Sequence, residues 1–289
     1  MITIAHLSDL HFAPLPTVGA RKLISKRILG YLSWHRKRKH EHRTNVLEAL
    51  LNDLKEDRPD HICVTGDLTN IALPEEFETA RRWLLRAGIA DAISIIPGNH
   101  DAYVAGALEN GLPLWAEWMT GDDGKTGFPY LRRRGKISII GTSSAVATLP
   151  AMASGRLGEQ QLIALESMLK AEHQAGQFTL IMIHHPPQPG AESPRKALSD
   201  AKAFRAVIAR TGAGLILHGH THRALKASID GPDGPVPILG CGSSSSIGSH
   251  KGPGHYYRLT IDPSAGAKGI GVENRYYDAT KKAFLSFTA

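Results

Sequence analysis

The chain alternates short apolar runs with segments of helical periodicity over most of its length. The short runs are rich in Ile, Leu and Val, which predicts strands buried on both faces of a sheet. Between them, apolar residues recur every three or four positions, which indicates amphipathic helices. This alternation favours an α/β fold with a largely parallel sheet. The predicted strands are ITIAHL, HICVTGD, AISIIPGN, FTLIMIHHPP and AGLILHGHTH, and the predicted helices are TNVLEALLNDLKED, EEFETARRWLLRAG, GEQQLIALESMLKAEH and DAKAFRAVIAR.

The C-terminal part of the chain has a different pattern. Short strand-like runs follow one another with turns such as DGPDGP between them, which predicts successive antiparallel strands. These runs are ALKASID, VPILGCG, HYYRLTI, GIGVENRYY and KAFLSF. The 289 residues are 42% hydrophobic, enough for a sizeable core, so residues 1–289 are expected to form one domain.

The cysteine content and the N-terminal sequence indicate the cellular compartment in which the protein is expected. The chain has two cysteines, which is too few for a disulfide framework, and Cys63 lies in a predicted strand as a buried thiol. No apolar run approaches the roughly 20 residues of a membrane span. The start, MITIAHLSDLH, lacks the basic and apolar regions of a signal peptide. We therefore expect a cytoplasmic protein.

Polar residues follow the ends of the predicted strands. In an open α/β sheet, side chains just beyond the carboxyl ends of the strands meet in one crevice, so these residues are expected to share a site. Taken singly, each has a simpler explanation, since an Asp can cap a turn and alternating histidines fit an ordinary strand. The candidates are Asp9, His11, Asp67, Asn99, His100, Asp101, His184, His220 and His222.

The chemistry of these residues predicts a metal centre. Asp, Asn and His supply mixed oxygen and nitrogen ligands, which suit Mn, Fe, Zn or Co better than Ca or an iron–sulfur cluster. Seven candidate ligands are too many for one tetrahedral ion, whereas two divalent ions that share a carboxylate account for them. We expect Mn²⁺ first, with Fe, Zn and Co as alternatives.

Five motifs, in order along the chain, resemble the signature blocks of the calcineurin-like metallophosphoesterases. They are D-x-H at 9–11, G-D at 66–67, G-N-H-D at 98–101, H-H-P at 184–186 and G-H-x-H at 219–222. The sequence GRLGEQQLIAL is similar to a helix start in the phosphodiesterase branch of that family. The resemblance implies a four-layer α/β/β/α sandwich with two mixed sheets and a dinuclear metal site on strand-end loops.

The resemblance also implies a role for each residue. Asp9, His11 and His222 would bind the first ion; Asn99, His184 and His220 would bind the second. Asp67 would bridge the two ions, and a hydroxide between them would attack phosphorus. His100 would stand beside the leaving oxygen as a hydrogen-bond donor or general acid, and Asp101 would orient His100. His250 and His255, near a serine-rich loop, are further candidates for lining the site.

The net charge of +7 is concentrated in residues 21–43, which hold nine Lys or Arg and one Glu. Residues 21–34 have the apolar spacing of an amphipathic helix, so we expect a basic amphipathic insertion at about 20–43. Three interpretations stay open: a solvated surface helix, contact with an anionic membrane, or binding to nucleic-acid phosphates.

The same insertion bears on the substrate. GYLSWHR, at 30–36, is similar to an insertion in the intracellular phospholipase-C-like branch of bacterial metallophosphoesterases. That resemblance implies a metal-dependent phosphodiesterase that cleaves glycerophospholipid and contacts the inner face of the membrane through residues 21–43. The alternatives are soluble diesters such as cyclic nucleotides or glycerophosphodiesters, a nuclease, and a non-catalytic scaffold.

Overall fold

The computed structural model describes residues 1–248 and 251–287, which form two six-stranded sheets. Each sheet mixes parallel and antiparallel pairs. The strands are β1 Ile2–Leu7, β2 His61–Val64, β3 Ile93–Ile95, β4 Tyr130–Arg134, β5 Ile137–Gly141, β6 Phe178–Met182, β7 Leu215–His218, β8 Leu225–Gly231, β9 Gly234–Gly240, β10 His255–Ile261, β11 Ile270–Asp278 and β12 Ala283–Phe287.

The first sheet has the order β12-β11-β10-β1-β2-β3. Its parallel half consists of β1, β2 and β3, as the strand–helix alternation predicts. Its antiparallel half consists of the last three strands of the chain, with β10 paired to β1. Three of the motif-bearing loops therefore follow adjacent parallel strands.

The second sheet has the order β4-β5-β6-β7-β9-β8. All five C-terminal strands exist, but they are not one antiparallel series, so that part of the prediction is wrong. The β8–β9 hairpin belongs to the second sheet, where β9 pairs parallel with β7, and the chain then crosses to β10 in the first sheet. The β4–β5 hairpin was not predicted.

Helices cover the outer faces of both sheets. Helices α3 and α4 contribute Leu50 and Leu84 to the core that contains the first sheet, whereas α7 and α8 contribute Leu165 and Phe204 to a second core. The helices are α1 Arg27–Ser33, α2 Lys39–Glu41, α3 Thr44–Asp57, α4 Pro74–Ala87, α5 Ala107–Gly111, α6 Ala116–Met119, α7 Glu159–Gln174 and α8 Ala201–Thr211. Within the described residues, no helix combines the length and the apolar character that a membrane crossing requires.

Neighbouring residues of the second sheet pack into different cores. Ile139 and Leu180 join the core shared with the first sheet, whereas Ile140 and Ile181 pack beneath α7 and α8. Alternate side chains of a strand point to opposite faces, so this sheet is covered on both sides. The layers are helix, sheet, sheet and helix, which confirms the expected four-layer sandwich.

The basic insertion is not one amphipathic helix. It consists of a 3₁₀ turn at Ala20–Leu23, α1, a π-helical stretch at Trp34–Arg38 and the single turn α2. Gly30 permits close packing of α1, since a Cβ there would overlap Ile71 and lie 2.7 Å from the Tyr103 hydroxyl. Trp34 is buried. At Gly30 and Trp34 the insertion therefore packs onto the body of the protein.

Candidate metal centre

The five motif-bearing loops meet where the two sheets face each other. The Nδ1 nitrogen of His184, after β6, lies 2.7 Å from the carbonyl oxygen of Thr65, after β2, and so joins the sheets. The backbone N–H of His220 donates to Oδ2 of Asp9 at 3.0 Å, which joins the loop after β7 to the loop after β1. The structure thus brings together the residues that the sequence predicted to converge.

Five of the candidate ligands have left-handed backbone conformations. Their φ angles are positive, which costs a non-glycine residue on the order of 1–3 kcal/mol. Such strain persists only where the surroundings fix the backbone, and it is concentrated at functional sites. The five are Asp9 (φ 51°), His11 (39°), Asp67 (55°), His220 (69°) and His222 (55°).

The first group consists of Asp9, His11 and His222. Nε2 of His222 lies 3.2 Å from Oδ1 of Asp9 and 3.3 Å from Nε2 of His11. Nδ1 of His11 lies 2.9 Å from the Thr69 carbonyl oxygen, so this nitrogen carries the proton and Nε2 presents a lone pair. Burial opposes ionisation of Asp9, but His222 and His184 hold its pKa below the ordinary value.

The second group consists of Asn99, His184 and His220. Oδ1 of Asn99 lies 3.1 Å from Nε2 of His184 and 2.8 Å from Nδ1 of His220. All three side chains are buried or nearly so. One amide oxygen and two imidazole nitrogens therefore point at a common space.

Asp67 lies between the two groups. Its Oδ2 is 3.9 Å from Nε2 of His11 and 3.4 Å from Nε2 of His184. Burial would lower the pKa of His184, yet the Asp67 and Asp9 carboxylates raise it to about 9. A carboxylate in this position can share its charge between two cationic centres.

The donor set fits divalent ions. Oδ1 of Asp9 is buried without a hydrogen-bond partner among the described residues, although Nε2 of His222 lies close to it. Buried polar atoms are normally paired, so an orphaned carboxylate oxygen facing imidazole lone pairs indicates a cation site. Gly98 keeps the space open, because a Cβ there would overlap Oδ1 of Asp67.

His100 is held differently from the expectation. Its Nδ1 lies 2.6 Å from the carbonyl oxygen of Asn70, and Arg38 donates to its Nε2 at 2.8 Å. Nε2 is therefore an acceptor in this arrangement, and the donor that faces the cavity is Arg38. Burial and the charge of Arg38 lower the pKa of His100 to about 3.

Asp101 was expected to orient His100, but among the described residues its carboxylate has no hydrogen bond to the His100 ring. The Asp101 carboxylate instead accepts hydrogen bonds from the backbone N–H groups of Gly98 (2.8 Å), Asp67 (3.0 Å) and Thr69 (2.8 Å). The His100 ring is positioned by Arg38 and Asn70. Asp101 thus fixes the backbone of two ligand-bearing loops relative to each other.

The sequence-based interpretation missed two residues of the insertion, Arg38 and His42. Both line a cavity of about 420 Å³ at the centre of the site, together with the cationic side chains of Lys37, Lys196 and Lys251. The position of the insertion directly after D-x-H indicates that the segment lies near the site, but not which of its side chains enter it. His255 is buried on Asn274 and Gly242 and does not line this cavity, and His250 lies outside the described residues.

Comparisons with known proteins identify a family. A family model described as calcineurin-like phosphoesterase matches residues 2–224. A probable cyclic nucleotide phosphodiesterase of Synechococcus sp. is 29% identical over 243 residues, which cover 83% of this chain and 79% of that protein. The glycerophosphodiester phosphodiesterase GpdQ of Enterobacter lignolyticus is 28% identical over 187 residues, or 64% of this chain and 57% of that protein.

Solved structures give the same fold. A dimetal phosphatase from Danio rerio aligns with a TM-score of 0.57 at 13% identity, and the alignment covers 95% of this chain and 92% of that one. The family match spans all five motifs and most of the chain. The chain therefore belongs to the calcineurin-like phosphoesterase family and is a metal-dependent phosphoester hydrolase.

Proposed function

We propose that the protein is a dinuclear phosphodiesterase. One observation carries this proposal: six donor side chains form two groups of three on either side of a seventh, Asp67. The first group would hold one divalent ion, the second group would hold the other, and Asp67 would contact both. When bound, the ions would supply a water of lowered pKa and a positive charge for the phosphoryl oxygens.

The chain's own groups contribute the remaining chemistry. Arg38 presents N–H donors to the cavity beside His100, where it can bind a phosphoryl oxygen and stabilise the charge that develops there. Movement of Arg38 onto the substrate would free Nε2 of His100 to take up a proton from a water in the cavity, and His100 could then give that proton to the leaving oxygen. Lys196 and Lys251 add positive charge at the cavity wall, which suits an anionic substrate.

The relatives support a diester as substrate. The two curated proteins described above carry names that specify diester hydrolysis, of a cyclic nucleotide in one and of a glycerophosphodiester in the other. A diester has one negative charge and two organic substituents, so the open cavity must accommodate a group on each side of phosphorus.

Surface chemistry favours glycerophospholipid as the diester. Ile24 is 83% exposed, and Ile28, Leu29 and Leu32 are 42–48% exposed, all within the insertion that delivers Arg38 to the cavity. Clustered apolar side chains on a soluble surface mark an interaction site. Docking of this patch in a bilayer would place the cavity near the lipid head groups.

The basic residues of the insertion have two uses. Lys26 binds Thr148 and the Met152 carbonyl, Arg27 binds the carbonyl of Ile71, and Lys22 pairs with Glu75, so these charges hold the insertion to the protein. Arg36, Lys37 and Lys39 are exposed. The exposed charges can attract an anionic membrane, at about 1 kcal/mol for each residue near its surface.

The second candidate is the same chemistry on a soluble diester, and the names of the relatives favour it. Under this alternative, the insertion would only cover the site. A nuclease would use the exposed charges on nucleic-acid phosphates instead. A scaffold without catalysis has no use for the strained ligand loops.

The chemistry is tested with bis-p-nitrophenyl phosphate and Mn²⁺, with p-nitrophenyl phosphate as the monoester control. We expect hydrolysis of the diester that is lost with a chelator and restored by metal. A clear preference for the monoester would contradict the diesterase proposal, and no turnover with any divalent ion would favour the scaffold.

The substrate is tested with matched pairs. Phosphatidylcholine in vesicles and glycerophosphocholine share the same diester head group, but only the first presents a membrane. We expect faster cleavage of the lipid, with release of phosphocholine and diacylglycerol. Faster cleavage of glycerophosphocholine, cyclic AMP or single-stranded DNA would instead support a soluble diester or a nucleic acid as the substrate.

A further inference from the structure

His42 lies at the junction of the insertion and the serine-rich loop. Its backbone forms a β-bridge with Ser246, and its N–H donates to the Arg38 carbonyl at 2.9 Å. The next residue, Arg43, donates its N–H to the carbonyl of Ser245. The His42 side chain is only 2% exposed, yet it lines the central cavity. The backbone that carries this imidazole is therefore held both by the insertion and by the serine-rich loop.

The hydrogen bonds of His42 match those of the proposed ligands. Its Nδ1 lies 2.7 Å from the Ser245 hydroxyl, just as Nδ1 of His11 and Nδ1 of His184 lie on carbonyl oxygens. A metal-binding histidine typically donates one ring N–H to such a partner and binds the ion through the other nitrogen. The structure gives Nε2 of His42 no hydrogen-bond partner among the described residues.

The ring lies against the first group. Its centroid is 4.6 Å from the ring of His11 and 6.0 Å from that of His222. One nitrogen of each of these three residues lies within 4.8 Å of the other two. Asp9 and Asp67 form a second cluster of this size with the same two histidines, His11 and His222. Small shifts of the His42 side chain would therefore bring it into contact with an ion held by His11 and His222.

His185 provides a contrast at the second group. It also forms a metal-sized cluster, with His184 and His220. However, its Nδ1 bonds to the Ser144 hydroxyl at 2.7 Å and its Nε2 bonds to the carbonyl of Ala153 at 3.1 Å. Both nitrogens are occupied, so proximity alone does not make a ligand.

We propose that Nε2 of His42 is a further ligand of the ion held by Asp9, His11 and His222. The residue lies outside the five motifs, so the insertion would complete the first metal site as well as cover it. This inference rests on the proposed metal centre. An additional neutral nitrogen ligand would raise the affinity for this ion relative to the second ion. It would also leave fewer coordination positions of this ion open to substrate.

The test measures metal binding without substrate. Metal-free protein is titrated with Mn²⁺ by calorimetry, and bound metal is counted by mass spectrometry after dialysis. We expect His42→Ala to weaken one of two binding events at least tenfold and to leave the other unchanged. Ser245→Ala should weaken the same event to a smaller extent, because it removes only the partner that orients the ring.

Two controls separate the possible failures. His40→Ala changes an exposed histidine in the same helical turn and should bind both ions as the wild type does. Thermal unfolding of the metal-free variants checks that they fold, and His42→Gln serves where alanine does not. Two unchanged affinities in a folded His42 variant would overturn this inference, whereas a wild type that binds no ion would overturn the metal centre itself.

Discussion

The Arg38 guanidinium donates to Nε2 of His100 at 2.8 Å, so a cation from the basic insertion lies inside the metal centre. Nη1 of the same guanidinium lies 3.2 Å from Nδ1 of His100, but Nδ1 already donates its proton to the Asn70 carbonyl, so this approach is not a second hydrogen bond. The His100 backbone N–H donates to Oδ1 of Asp67 at 2.6 Å. Arg38, His100 and Asp67 thus form one connected set, and a change in Arg38 should affect the reaction more than the binding of metal.

We expect Arg38→Ala to lower kcat/KM for bis-p-nitrophenyl phosphate by about 10²-fold, since it removes a donor aimed at developing negative charge. Steady-state kinetics measures the effect, and the bound metal should stay the same. Arg38→Lys should recover little, because an ammonium lacks the planar fork of N–H donors that suits a phosphoryl group. Arg36→Ala, an exposed change in the same stretch, is the control. Equal losses in both variants would indicate a general effect of charge.

Substitutions at the adjacent residues Asn99 and His100 should have different effects. Asn99→Ala removes the oxygen that His184 and His220 both face, so we expect it to reduce the bound metal from two ions toward one and to abolish most activity. His100→Ala should retain both ions and lower kcat about 10²-fold or more. Metal analysis beside kinetics checks both. Loss of metal from His100→Ala would contradict its placement outside the ligand set.

Asp101→Ala should act on stability. It leaves the backbone N–H groups of four residues, Asp67, Leu68, Thr69 and Gly98, without their carboxylate partner, so we expect a loss of at least about 2 kcal/mol in the free energy of unfolding. Chemical denaturation of the metal-free protein measures this change. Asp101→Asn keeps an acceptor oxygen and should be intermediate. A variant with unchanged stability and a lower kcat alone would restore the role of orienting His100.

The sequence predicted the parts of the fold that rest on apolar periodicity. β1, β2, β3, β6 and β7 all follow the expected runs. The β4–β5 hairpin was missed because β4 reads YLRRR, without an apolar alternation. Arg132 is nonetheless buried, since its guanidinium donates to the backbone carbonyls of Ile93, Ala90, Thr120 and Glu117. Such pairing depends on segments distant in sequence.

At the site, too, some residues could be predicted from the sequence and others could not. The strand-end residues could be predicted because parallel strands deliver their carboxyl ends to one edge. Arg38 and His42 could not, because their positions depend on how the insertion packs. Gly30 against Ile71 and the bridge from His42 to Ser246 set that packing, and neither contact has a local signal in sequence.

The apolar patch gives a prediction about membranes. We expect the double change Ile24→Ser and Ile28→Ser to weaken binding to vesicles that contain phosphatidylglycerol at least about tenfold, since each side chain loses about 1.5 kcal/mol or more of burial in lipid. Co-sedimentation measures the binding, and turnover of a soluble diester should not change. Ile163→Ser, at a 63% exposed position on α7, is the control. No difference between the variants would confine the patch to a structural role.

The buried residue His61 makes the stability of the fold depend on pH. The residue is fully buried, and its Nε2 lies 2.9 Å from the Ser94 hydroxyl. Burial, with the charges of Arg134 and Arg132, lowers the pKa of His61 to about 3. Since an unfolded histidine titrates at about pH 6.5, the unfolded chain binds a proton between these values that the folded chain does not. This residue therefore stabilises the fold fully above pH 6.5 and progressively less as the pH falls toward 3.

We expect His61→Gln to flatten this acid response. The amide can keep a hydrogen bond to Ser94 but takes up no proton, so the variant should lose less free energy of unfolding on acidification than the wild type. The difference should approach about 1.4 kcal/mol for each pH unit below 6.5. Urea denaturation of the metal-free proteins at pH 7.5, 5.5 and 4.5 measures it. Above neutrality, the free energy of unfolding should depend on pH about equally in both proteins. Parallel losses in both proteins down to pH 4.5 would show that His61 takes up its proton within the folded core.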